Sequence, residues 1–136
     1  MKAQKLTNET ILNIGVTDRT FPAFNVGDTI AVSLFVTEGE KERVQLFEGD
    51  VIAIRHKGIS STFTVRKIAA NNIAVERILP YHSPTIKSIV ITRRGISRRA
   101  KAYYMRNRTG KAVRFKELVL TKEQKLQRAS KQSAAE

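Results

Sequence analysis

The sequence predicts a mainly β protein: a small closed barrel with a short N-terminal helix and a basic C-terminal extension. Three observations lead there. Apolar and polar residues alternate with period two from Thr29 onward. Turn residues recur at intervals of about 8–12 positions, the spacing of short strands in a small barrel, and leave no room for long helices. The positive charge is confined almost wholly to the stretch that follows the last of those strands.

Residues 6–14 read as a short helix. Thr7 caps it, Leu6 and Ile11 are placed as a hydrophobic staple, and Gly15 stops it. A helix this short is marginal alone and must dock on something. Residues 15–28 are irregular, with Phe21-Pro22 and the turn signal Gly27-Asp28. The first strand covers 29–36, with Ile30, Val32, Leu34 and Val36 on one face and Thr29, Ala31, Ser33 and Phe35 on the other. Residues 37–41 form a polar hairpin loop, and a second strand runs over 42–47. Glu48-Gly49-Asp50 interrupts that strand as a bulge or bend would, and 51–54 continue it. His56-Lys57-Gly58 turns the chain into a strand over 62–68, and Asn71-Asn72 turns it into another over 73–79. Pro80 and Pro84 bracket a loop, and 86–92 make the last strand. Residues 93–116 are readable as coil or as a short helix near 100–106, and 121–136 as a polar tail of frayed helix or disorder. The expected division is a lead-in over 1–23, the barrel over 24–92, a basic extension packed on it over 93–120, and the tail over 121–136.

Composition bounds the chemistry. With 136 residues and 15.3 kDa the chain fits one domain, and 41% hydrophobic residues support a modest core rather than a large enclosed cavity. The absence of cysteine removes disulfides, thiolate catalysis and Cys-ligated metal centres, and fits a reducing cytosolic setting. The N-terminus lacks the apolar core of a secretory signal, and no run approaches the ~20 apolar residues of a membrane span.

The net charge is +13, and residues 93–116 alone hold ten Lys and Arg with no acid. Charge at this density repels itself, whereas a polyanion neutralises it and releases counterions. A solvated basic face is the plain alternative, but apolar and aromatic residues interrupt the run. A membrane-surface helix needs a wider apolar face than residues 98–108 offer. Nucleic acid is the better partner.

Within the segment, Arg93-Arg94-Gly95 pairs two guanidiniums with a residue that admits a close backbone. Arg98, Arg99, Arg106, Arg108 and Arg114 offer forks that can hold two phosphate oxygens, and Lys101, Lys111 and Lys116 offer point charges. Tyr103 and Tyr104 can stack on bases, although packing of one of them against the barrel is the stronger reading. Outside it, Arg55, His56 and Lys57 form a loop-tip cluster beside Gly58. Arg66 and Lys67 lie in a strand and can meet phosphate, or pair with Glu76 across the sheet.

Enzymatic readings are weak. His56 and His82 have no assignable partner, and Glu38, Glu40 and Glu42 are interleaved with Lys41 and Arg43 as in a solvated hairpin. No phosphate-loop, dinucleotide-loop, nucleophile-elbow or zinc-protease pattern occurs.

An ordered series of motifs spans the chain. It comprises Gly27-Asp28-Thr29, Glu38-Gly39, Glu42-Arg43-Val44-Gln45-Leu46-Phe47-Glu48-Gly49, Phe63-Thr64-Val65-Arg66-Lys67-Ile68 and Val75-Glu76-Arg77. Ser83-Pro84, Arg93-Arg94-Gly95, Arg98-Arg99-Ala100-Lys101, Tyr103-Tyr104-Met105-Arg106 and Gly110-Lys111 follow. Over about residues 24–117 the series resembles the bacterial large-subunit ribosomal protein nineteen family. The resemblance implies an SH3-like β-barrel with basic extensions, bound to large-subunit rRNA at the subunit interface in the cytoplasm. It further implies a part in a bridge to small-subunit rRNA and contact with neighbouring ribosomal proteins, notably number fourteen. It implies no catalysis, cofactor, membrane or small-molecule substrate. The chain departs from the family pattern at Asn71-Asn72, where glycines are usual, at Ile96-Ser97, and at Ala102, where a smaller side chain weakens packing beneath the tyrosines. A free-standing RNA-binding regulatory module with the same barrel is the alternative.

Overall fold

The computed structural model describes residues 7, 10, 16, 19–39, 41–108 and 110–119. The helix expected over 6–14, apart from Thr7 and Thr10, and the tail over 121–136 lie outside the described residues. Five strands build the main sheet: β1 (Thr29–Glu38), β2 (Lys41–Arg55), β3 (Thr62–Ile68), β4 (Ala74–Pro80) and β5 (Ile86–Arg93). They are antiparallel neighbours in the order β4-β3-β2-β1-β5. Two short strands, β6 (Gly95–Ile96) and β7 (Lys116–Glu117), pair separately.

The period-two alternation sets which face is buried. Ile30, Val32 and Leu34 of β1 point into the core with Phe47 and Val51 of β2, Phe63 and Val65 of β3, and Ile86 and Ile89 of β5. Phe24 from the lead-in meets the Phe63 ring edge-on at 5.2 Å, and Phe21 meets Tyr81 at 5.6 Å. The lead-in is therefore irregular in backbone but fixed by its rings.

Two expectations are corrected. Hydrogen bonding does not close the sheet into a barrel: β4 and β5 are its edges, and no ladder joins them. Strand spacing signals short antiparallel strands, which open and closed sheets share. Nor does a bulge fall at Glu48-Gly49-Asp50, because the β1–β2 ladder runs unbroken through Thr29↔Asp50, Ile30↔Gly49 and Ala31↔Glu48. The irregularity lies between Val51 and Ala53 in the β2–β3 ladder. β2 is one long strand that changes partner: residues 41–50 pair with β1 and 50–55 with β3. Gly49 sits at this changeover for want of room, since a Cβ there would lie 2.5 Å from the Arg66 carbonyl oxygen.

The β3–β4 turn matches its expectation. Asn71 and Asn72 both have positive φ, 61° and 60°, the left-handed conformation that asparagine tolerates better than most residues. The Ala69 N–H donates to the Ile73 carbonyl at 2.7 Å across the turn.

Candidate nucleic-acid interface

The basic extension is a folded layer. β6 and β7 pair Gly95 with Glu117 and Ile96 with Lys116, closing residues 97–115 into a loop, and the Leu118 N–H adds a bond to the Arg94 carbonyl at 2.9 Å. Ala102 donates its N–H to the Ile52 carbonyl at 2.7 Å, beside a bridge between Ala53 and Lys101. Ile52, Ala102, Met105, Val113 and Phe115 form a second buried cluster, with Val26 and Tyr104 packed against it. The segment thus anchors Ala102, Met105, Val113 and Phe115 on Ile52, at the ladder irregularity of β2, and between 101 and 107 it forms the 3₁₀ turn Tyr103–Asn107 rather than an α-helix. Ala102 is wholly buried despite its small side chain.

Asp28 ties this layer to the sheet. Its carboxylate is 2% exposed and accepts the Asn25 N–H at 2.9 Å and the Gly95 N–H at 3.0 Å, with Arg94 Nη1 at 3.5 Å. Gly95 admits the approach: a Cβ there would stand 2.0 Å from the Gly27 carbonyl oxygen. The close backbone that this glycine accommodates is the protein's own.

Glu76 is the second tie. On the outer face of β4 it accepts Arg66 Nη1 at 2.7 Å, and it receives Arg106 Nε and Nη2 at 3.1 and 2.8 Å. The Arg106 hydrogen bonds, followed by those of Arg66, hold its carboxyl below the usual range against the opposing effect of burial. The cross-strand alternative for Arg66 is therefore the one observed, and Glu76 also holds Arg106 from the extension.

The expected contact residues separate into three groups. Arg66, Arg93, Arg94 and Arg106 have acidic partners: Glu76 for the first and last, Asp50 at 3.9 Å for Arg93, and Asp28 for Arg94. Arg99 and Arg108 lie over the Tyr104 ring at 5.1 and 4.6 Å, and Arg106 also lies over Tyr103 at 4.7 Å. Tyr104 is the half-buried ring that packs the segment, whereas Tyr103 is 36% exposed. Arg55, Lys57, Lys67, Arg98, Lys101, Lys111, Arg114 and Lys116 are exposed and make no ion pair among the described residues.

Folding gathers cations that are distant in sequence. Lys67 of β3 and Arg93 of β5 share a recess of about 790 Å³ with Lys111 and Arg114, and the carboxylates of Glu48 and Asp50 line its β2 side. His56 from the β2–β3 loop lines another, of about 610 Å³, with Arg98 and Arg99. The result is a surface with two recesses, each lined by basic residues from separate parts of the chain. Sequence reading missed Asp28 as a positioning residue, and for Glu76 it offered the pairing with Arg66 but not the one with Arg106. Asp28 reads only as a turn residue, and nothing in the sequence links Glu76 to Arg106, thirty positions away. Among the described residues no three His, Asp or Glu side chains gather as metal ligands. Among the same residues, no helix is long and apolar enough to cross a membrane.

Comparison with known proteins agrees with this picture. Residues 4–118 match the profile of a family described as ribosomal protein L19. A protein of Helicobacter pylori strain Shi470, named large ribosomal subunit protein bL19, is 54% identical over 101 residues, which span 74% of this chain and 86% of that one. The proteins of the same name from strains P12 and J99 are each 52% identical over the same shares. The motif series, the interleaved basic layer and the extent of identity converge: the chain belongs to the ribosomal protein L19 family, whose role is structural and not catalytic.

Proposed function

We propose that this chain is a structural constituent of the large ribosomal subunit in the bacterial cytoplasm, binding rRNA at the subunit interface through its basic extension. One observation carries the proposal: in residues 93–116 Ala102, Met105, Val113 and Phe115 turn inward onto Ile52, while Arg98, Lys101, Lys111, Arg114 and Lys116 are exposed without acidic partners among the described residues. A fold that preorganises uncompensated charge requires an external polyanion to offset its self-repulsion. Lys67, Arg55 and Lys57 extend this surface from the sheet and its loop, and Tyr103 offers a ring to an unstacked base. In this reading the five curled strands are an SH3-like barrel whose edges stay apart, followed by the extension as a second layer.

The proposal includes a part in a bridge to small-subunit rRNA and contact with neighbouring ribosomal proteins, notably number fourteen. These follow from family membership rather than from a contact in this chain. Sedimentation of cell lysate at moderate salt tests the assignment. Near-stoichiometric migration with the large subunit is expected, and recovery mainly in light fractions would favour a free-standing RNA-binding module instead.

A further inference from the structure

An aromatic recess lies at the end of the sheet where Arg55 pairs with Thr62 and Thr62 with Pro80. The Tyr81 N–H donates to the Ser61 carbonyl at 2.8 Å, which brings the β4–β5 loop against the β2–β3 loop. With the lead-in these loops enclose about 490 Å³, lined by the rings of Phe24, Phe63, Tyr81 and His82. The rings are in contact, Phe24 with Phe63 at 5.2 Å and Tyr81 with His82 at 5.1 Å. Polar groups sit among them. Asn25 gives its backbone N–H to Asp28, and its side-chain amide and the Thr62 hydroxyl have no hydrogen-bond partner among the described residues. This recess shares Asn25, Ile54 and His56 with the one that holds Arg98 and Arg99, so the two lie side by side. Their linings bring together Arg55, Arg98 and Arg99 and, among the described residues, no carboxylate. The larger recess beside Lys67 includes two.

We infer that the paired recesses hold one nucleotide unstacked from an RNA strand, its base among Phe24, Tyr81 and His82 and its phosphate on Arg55 and Arg98. The two parts of a nucleotide make opposite demands. A base wants aromatic partners and a few hydrogen-bonding groups at its edge, whereas its phosphate wants guanidiniums. The adjoining recesses meet one demand each. A proline-rich peptide also seats in an aromatic groove, but it brings no negative charge for the three guanidiniums. A purely apolar ligand would leave Asn25 and Thr62 unsatisfied. A bare phosphate makes no use of the rings. The site stands apart from residues 101–116 and adds recognition by stacking, which releases no counterions.

The inference rests on the proposed binding of rRNA, which supplies the strand, and a free mononucleotide shares the same chemistry. Two titrations separate these possibilities. In the first, the full chain and its Tyr81→Leu variant bind large-subunit rRNA at several salt concentrations. Losing one stacked base is expected to lower affinity about 5- to 150-fold and to leave the slope of log affinity against log salt unchanged. Unchanged affinity would overturn the inference, and so would a loss that comes with a shallower slope, because that belongs to charge. No binding by the unsubstituted chain would instead overturn the ribosomal reading. Tyr81 also packs on Phe21 at 5.6 Å, so if the variant unfolds the second titration decides alone. There the unsubstituted chain is followed by NMR with penta-adenylate, AMP, adenosine and decaproline. Penta-adenylate is expected to shift the ring protons of Phe24, Tyr81 and His82, and adenosine, lacking phosphate, to need about tenfold higher concentration or more. AMP as effective as penta-adenylate would reassign the site to a free mononucleotide. Ring shifts from decaproline alone, or from none of the four, would overturn the inference.

Discussion

Replacing Arg98, Lys101, Lys111 and Arg114 together by glutamine removes four exposed cations that hold no ion pair among the described residues. Glutamine keeps much of each stem, so the change is mainly one of charge. Each neutralised phosphate adds about 0.7–0.9 to the slope of log affinity against log salt, so four such contacts account for about 2.8–3.6. At about 0.15 M salt that slope corresponds to roughly 2.3–3.0 decades, an affinity loss of about 200- to 900-fold. The assay is a binding titration of large-subunit rRNA at several salt concentrations, with urea unfolding of the free protein beside it. Unpartnered surface side chains contribute within about 0.5 kcal/mol to stability, so the fold should be unaffected. Substituting Arg93 and Arg94 would mix the two effects, because Arg94 reaches the buried Asp28 and Arg93 donates to Thr29 Oγ1 at 3.2 Å. A quadruple variant with the wild-type slope would refute the claim that this layer anchors RNA.

Three further outcomes follow from the contacts that hold the layer in place. Asp28→Ala leaves the Asn25 and Gly95 N–H groups without their acceptor and should cost about 1–3 kcal/mol for each, read by urea unfolding. Unchanged stability would remove Asp28 as the tie. Gly49→Ala drives a Cβ into the Arg66 carbonyl and should destabilise by about 1–3 kcal/mol, and a neutral result would show that β2 and β3 can separate at the changeover. The Glu76 carboxyl has a lowered folded value, so the advantage of wild type over Glu76→Gln should be fully present above the unfolded value of about 4.3. It should vanish as pH falls through the lower folded value. A difference that does not vary with pH would show that the carboxylate charge does not hold Arg106.

Local signals were legible wherever one residue type met one physical demand. The alternation in β1 placed Ile30, Val32 and Leu34 in the core, and Asn71-Asn72 gave the left-handed turn. The charge count found the extension, and the apolar residues within the run hinted that it packs. Longer-range features were not legible. Whether strands close on one another depends on how far the sheet curls, which alternation does not encode. Gly49 looks the same in a sequence whether it serves a bulge or a close approach to Arg66. The cations could be found but not sorted. Arg66 and Lys67 are adjacent in sequence and both line the recess with Lys111 and Arg114, yet of the two only Arg66 is held by Glu76. That distinction arises from strand register and from where the extension lands.

The most direct measurement is a density map of the assembled large subunit, resolved well enough to place side chains. Guanidinium and ammonium groups of Arg98, Lys101, Lys111 and Arg114 should lie within hydrogen-bonding reach of phosphate oxygens, with Met105 and Phe115 still seated on Ile52. The same segment turned toward bulk water, with no sugar-phosphate chain beside it, would contradict the account.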